Sequence, residues 1–292
     1  MTEPARGSSG IPPAESPPLA VWRLVSTVVA PATLVGAVLF YFGYVSARAQ
    51  FAYFGVDVDT LGFSTQEFVM RSPQPLLVPV LAMLLAAAAT TWAAGETNRR
   101  LGTADTATVA RAARLTTRVA LGLIALGLAL LVAYPLLGEQ DLYPLVTPLL
   151  LGLGGGLLAL RLHHVPDPRT TRTTVVILTL LTVAALFWVT ATLAEWSGLG
   201  RAKALARDLT VLPAAVIDTA EPLVARDGTV VESIFEDAEE QTYRYRYRGL
   251  RVLAEGEGRL FLVPEQWSSS GSTYVVPMDE ARVRFRFVDD PP

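Results

Sequence analysis

The sequence predicts an α-helical transmembrane bundle of about five helices, followed by a small, mostly-β soluble domain. Two observations lead there. Of 292 residues, 51% are hydrophobic and only 17% charged, against about 25% charged in ordinary soluble domains. The average also hides a division, because the chain is largely apolar from about residue 21 to 194 and charged from 195 onward. One soluble core does not explain that split, whereas membrane helices plus one compact domain do. The expected organisation is a tail at 1–20, a bundle at 21–197 and a β-rich domain at 198–292.

Taken in order, residues 1–20 hold Pro4, Pro12, Pro13, Pro17 and Pro18 among Gly, Ser and Ala. Such a segment buries too little apolar surface to offset its ordering entropy, so a disordered tail is expected. The first apolar run spans about 24–46 without a charge. A secretory signal competes for this run, since Ala47-Arg48-Ala49 loosely resembles a cleavage site. A signal core is about 7–15 residues, however, and the length favours an uncleaved helix.

Four more charge-free runs follow, at about 75–94, 119–137, 142–160 and 173–194. Each is near the ~20 residues needed to cross ~30 Å of hydrocarbon. The stretch 104–118 reads as a helix extending into the third crossing, with Arg111, Arg114 and Arg118 on one face. Gly138 to Asp141 should form a tight hairpin. Gly152, Gly154, Gly155 and Gly156 lower helix propensity in the fourth run but permit close helix contact.

Orientation follows from arginine placement. With a cytoplasmic N-terminus, the inner segments hold Arg6, Arg23, Arg99, Arg100, Arg111, Arg114, Arg118, Arg161, Arg169 and Arg172. The short outer segments hold only Arg48 and Arg71. Five crossings then place the C-terminal domain outside the cytoplasm, so the reading is a multi-pass membrane protein. Tyr41, Phe42, Tyr44, Trp188 and Trp196 mark outer helix ends, and Trp22 and Trp92 inner ones. Such rings suit a boundary that is apolar on one side and wet on the other.

In the outer domain, Gly198 and Gly200 read as a joint before a short helix at 201–209. Strands are expected within 209–218 and at 242–254, 259–264, 272–277 and 281–288. The stretch Glu255-Gly256-Glu257-Gly258 is a hairpin turn.

Composition excludes much chemistry. Net charge is −3, so bulk charge implies no nucleic-acid partner. No cysteine is present, which removes disulfides, thiolate metal sites and cysteine nucleophiles. His163 and His164 are the only histidines and fall in an inner loop with Asp167. They make a weak metal signal and cannot serve a Ser-His-Asp arrangement in the outer domain. No phosphate-cradling motif occurs, because no lysine follows the glycines at 152–156. No ionisable residue lies inside any crossing, which disfavours ion-coupled pumps and proton relays. A passive pore or an apolar-substrate carrier stays open. No catalytic residue, metal ligand or cofactor is assigned.

Two surfaces could carry function. Tyr243, Tyr245 and Tyr247 alternate with Arg244, Arg246 and Arg248; Val283, Phe285 and Phe287 alternate with Arg282, Arg284 and Arg286. Period two puts the arginines on one face. If both strands share a sheet, that face is an anion-binding platform for lipid headgroups, envelope polymers or an acidic partner. The competing reading is a solvated face neutralised by Glu236, Asp237, Glu239 and Glu240. The second surface is the outer loop 47–72, with Phe51, Tyr53, Phe54, Phe63 and Phe68 and the acids Asp57, Asp59 and Glu67. Ser64-Thr65-Gln66-Glu67 fits a capping box, so a short helix should start at Thr65. This loop reads as an interfacial lid or as a packed connector, and convergence of its three acids in one pocket would favour an enzyme.

Tyr53-Phe54-Gly55-Val56-Asp57 running to Leu61-Gly62-Phe63-Ser64, and Tyr245-Arg246-Tyr247-Arg248-Gly249-Leu250-Arg251 running to Arg259-Leu260-Phe261-Leu262-Val263-Pro264, resemble uncharacterised actinobacterial multi-pass membrane proteins with a C-terminal extracytoplasmic β-rich domain. The resemblance implies a bacterial plasma membrane and no particular activity. The expectation is therefore a non-enzymatic membrane protein whose outer domain senses or binds an envelope component or partner protein. The alternative is a small permease or an accessory subunit of a transport complex.

Overall fold

A computed structural model describes residues 30–101, 106–138, 140, 142–164, 172–223, 229–235, 242–268 and 271–286. The tail at 1–20, Arg6, Arg23, Asp167 and the acids at 236–240 lie outside these residues.

Five helices are long and apolar enough to cross a membrane. They are α1 (Ala30–Ala52), α3 (Pro73–Leu101), α4 (Thr106–Val132), α6 (Tyr143–His164) and α7 (Arg172–Arg207). Most of their apolar side chains face outward; only 11% of the most apolar window of α4 is buried. Water would not tolerate that much continuous exposed hydrocarbon, whereas lipid does. Two short α-helices also occur among the described residues, α2 (Thr65–Arg71) and α5 (Tyr134–Leu137).

Helix boundaries differ from the apolar runs in instructive ways. The third run is not one helix to 137: α4 stops at Val132 and α5 restarts with Pro135 in its first turn. Proline lacks an N–H and clashes with the preceding turn, so it opens a helix more easily than it continues one. The fifth run continues unbroken through Gly198 and Gly200, so those glycines are no joint and the 197/198 boundary falls inside α7. Gly198 instead permits contact, since a Cβ there would lie 2.0 Å from the Ser46 carbonyl oxygen of α1. Packing overrides glycine's low helix propensity here. Gly154 and Gly155 likewise seat α6 against α4 and α7, as the glycine-rich run suggested.

After α7 the described residues form a six-stranded antiparallel sheet. Its strands are β1 (Ala214–Thr219), β2 (Val231–Ile234), β3 (Tyr245–Gly256), β4 (Arg259–Pro264), β5 (Tyr274–Pro277) and β6 (Ala281–Arg286). The order is β5-β4-β3-β1-β6, with β2 pairing the first part of β3. Glu257 and Gly258 both have positive φ and close the β3–β4 hairpin, the conformation that two-residue hairpin loops require.

The sheet is buried on both faces where β4 lies. Leu260 and Leu262 join Ile217, Tyr247 and Leu250 in one apolar cluster. Phe261 points the other way, into Phe51 at the end of α1 and Val56, Val58 and Leu61 of the loop that follows. Val263 meets Phe54 with Ala202 and Leu209 from the end of α7 and the turn that follows it. Gly256 approaches the Leu61 carbonyl so closely that a Cβ would lie 1.9 Å from its oxygen. Thr273 Oγ1 donates to the Phe54 carbonyl at 2.5 Å. The loop 53–64 is thus a packed seat between helices and sheet.

Candidate functional site

The sequence-predicted arginines fall on or beside two strands of one sheet. β3 and β6 lie in one sheet, separated by β1. Asp218 of β1 is paired in register with Arg246 on one side and Arg282 on the other, Val216 with Arg284, and Ala214 with Arg286. Strand alternation puts all four arginine positions on one face with Asp218. Arg244 lies just before β3 and Arg248 at an irregularity of β3; both side chains are exposed.

That face carries a compact charge centre. Arg246 donates from Nε to Asp218 Oδ1 at 2.7 Å and from Nη2 to Oδ2 at 3.1 Å. Arg284 Nη2 donates to the same Oδ2 at 2.7 Å. Asp218 is 4% exposed, and a buried carboxylate needs such partners. The hydrogen bond from Arg246, reinforced by Arg284, holds its carboxyl below the ordinary aspartate range. Aromatic rings brace the cations: Arg246 lies 4.7 Å from the Phe235 ring centroid and Arg282 5.5 Å from that of Tyr243.

Sequence reasoning missed Asp218, looking for compensating acids at 236–240 rather than in β1. An acid ending the apolar run Ala214-Ala215-Val216-Ile217 was the available signal. One carboxylate does not balance the face. Arg244, Arg248 and Arg282 are in no ion pair among the described residues. The aromatic side of the alternation is only partly buried in the core. Tyr247 is fully buried and its hydroxyl accepts from the Leu223 amide at 2.8 Å, whereas Phe285 is half exposed.

Register fixes which way this face looks. Val263, Arg251, Ala214 and Arg286 are consecutive cross-strand partners. The arginine face is therefore the same face that β4 seats on the loop and on α7. Arg251 marks the boundary, donating to the Leu212 carbonyl at 3.0 Å and pairing with Glu265.

The loop acids do not converge. Asp57 caps the 3-10 turn Val58–Leu61 by accepting from the Asp59 amide at 3.1 Å. Asp59 accepts from the Tyr44 hydroxyl at 3.1 Å. Glu67 completes the expected capping box, with Oε2 2.7 Å from the Ser64 amide nitrogen. Amide and hydroxyl of Ser64, in that order, hold the Glu67 carboxyl below its usual range. Each acid has a local structural task, and the connector reading of the loop fits the packing. Among the described residues no group of three His, Asp or Glu is placed to hold a metal.

The bundle offers one further feature, a groove of about 570 Å³ between α3, α6 and α7, walled by residues such as Met83, Ala87, Gly152, Leu153 and Leu186. Its hydroxyls, on Thr90, Thr179 and Thr182, donate back to carbonyls of their own helices at 2.9 Å. The walls are mostly apolar.

Comparison with protein-family models, with curated proteins and with solved structures finds no match.

Proposed function

We propose that this chain is a non-enzymatic, multi-pass protein of a bacterial plasma membrane whose sheet domain binds an anionic component of the cell envelope. The N-terminus lies in the cytoplasm and the sheet on the outer side, because arginines crowd the connectors at the opposite end of the bundle. The observation that carries the binding role is the shared arginine face, in which one buried carboxylate organises two guanidiniums, while Arg244, Arg248 and Arg282 are in no ion pair among the described residues. Exposed guanidiniums in fixed positions recognise phosphate and carboxylate groups through paired N–H donors. The seat on loop 53–64 and α7 holds this face at a constant place above the bundle.

The test uses the full-length protein in nanodiscs of phosphatidylcholine, probed with vesicles containing phosphatidylglycerol and with a soluble polyanionic polymer. Binding to at least one is expected, falling steeply with salt. Replacing Arg244, Arg248 and Arg282 together by Ser should weaken it at least about tenfold. Unchanged affinity in the triple variant, or absence of binding to both probes, rejects the role.

A further inference from the structure

A second cationic site, separate from the sheet, lies where α1, α3 and α7 meet beneath the loop. Arg201 of α7 donates from Nη1 to Gln74 Oε1 at 2.9 Å and from Nη2 to the Ser46 hydroxyl. Both acceptors are neutral, and its buried Nε has no acceptor. Arg71, at the end of α2, stacks 4.4 Å from the Phe63 ring centroid and 5.7 Å from that of Phe51. Among the described residues it has no hydrogen-bonded or ion-paired partner. Gln74, which Arg201 contacts, lies three residues after Arg71, and Arg201 feels the Arg71 charge.

Among the described residues no carboxylate is paired with Arg201, and Arg71 is offset by Glu67, one turn earlier. Its Oε2 is already held by the Ser64 amide at 2.7 Å and hydroxyl at 2.9 Å. Two partly desolvated guanidiniums with one committed carboxylate leave positive charge where few waters can screen it. Like charges brought together out of water need an anion to hold them. The height of the site narrows the choice. Arg71 lies two residues before Pro73, where the apolar span of α3 begins. Ser46 is fully buried against α7 near the end of the α1 span. The guanidiniums therefore sit at the boundary between hydrocarbon and headgroup, where phospholipid phosphates lie.

We propose that Arg71 and Arg201 form a binding site for a phosphate group at the headgroup level, supplied by a phospholipid. A phosphodiester carries one negative charge and acceptor oxygens that match the guanidinium fork. The site is independent of the arginine face on the sheet.

The experiment uses full-length protein, delipidated in a maltoside detergent, carrying Arg244→Ser, Arg248→Ser and Arg282→Ser so that the sheet face is silent. Melting is followed while adding phosphatidylglycerol, inorganic phosphate, or a diacylglycerol with the same acyl chains. Phosphatidylglycerol should raise Tm and diacylglycerol should not. Arg71→Gln, whose side chain makes no hydrogen bond or ion pair among the described residues, should weaken the response about tenfold. Arg201→Lys keeps the charge without the fork and should weaken it also, so the proposal does not depend on how Arg201→Gln folds. A response to inorganic phosphate alone would keep the site and assign it a soluble anion. Equal response to diacylglycerol, no response to either anion, or full response in both variants would overturn the proposal.

Discussion

One face of the sheet has two halves with opposite chemistry. On the β4 side, Phe261 and Val263 are almost fully buried in the loop after α1 and the end of α7. On the β1–β6 side, the same face carries Arg246, Arg282 and Arg284 around Asp218. The first half is sealed by hydrocarbon and close backbone contact, and the second stays polar through a single buried acid. The contrast teaches that docking and display are separable tasks on one surface: apolar residues fix the position of the sheet, and the cations beside them stay accessible in a set geometry.

The largest expected effect breaks the docked half. Phe261→Ala removes a ring enclosed by Phe51, Val58 and Leu61 and should cost about 3–5 kcal/mol. Denaturant unfolding of the detergent-solubilised protein measures it, and faster proteolysis of the loop 53–64 should accompany it. Next, Asp218→Asn attacks the polar half and should cost about 2–4 kcal/mol, since it leaves Arg246 and Arg284 without their carboxylate. The pH dependence has a definite sign. The folded-state pKa of Asp218 lies below its ordinary value, so its contribution is fully present above that ordinary value, about 3.9. The contribution fades as pH falls toward the lowered folded value. Unfolding followed from pH 6 to pH 3 should show this loss in the wild type and a flatter curve in Asp218→Asn.

Gly256→Ala comes third. Its Cβ would lie 1.9 Å from the Leu61 oxygen, and the forced separation should cost about 1–3 kcal/mol. Phe261→Ala and Gly256→Ala both loosen the seat, one by a cavity and one by a clash, so both should speed loop proteolysis. Smallest is Arg248→Ser, an exposed side chain with no ion pair among the described residues. Its stability should stay within about 0.5 kcal/mol of wild type. A large loss there would mean that the display half is structural after all.

Much of this was legible in the sequence because it follows from periodicity. The five spans announce themselves through uninterrupted apolar length, and the pairing of aromatics with arginines announces strands with two unlike faces. β4 occupies the 259–264 stretch read for it, and the capping box at Ser64 is present as read. Local pattern failed where tertiary packing decides. Gly198 reads as a joint, yet its bare backbone exists to let α7 touch Ser46. β2 escaped notice because four residues, Val231 to Ile234, carry too little alternation to register. Asp218 escaped because its partners are 28 and 66 residues away. The Arg71–Arg201 site joins residues still further apart, and nothing local marks it.

The absence of cysteine makes a direct test of sidedness clean. Asp279→Cys places one thiol in the exposed turn before β6, and Arg114→Cys places one on the exposed face of α4 near the other end of the bundle. In intact cells a membrane-impermeant maleimide should label Asp279→Cys and should reach Arg114→Cys only after lysis. Labelling of Arg114→Cys in intact cells, with Asp279→Cys protected, would put the arginine face in the cytoplasm and contradict the envelope-binding role.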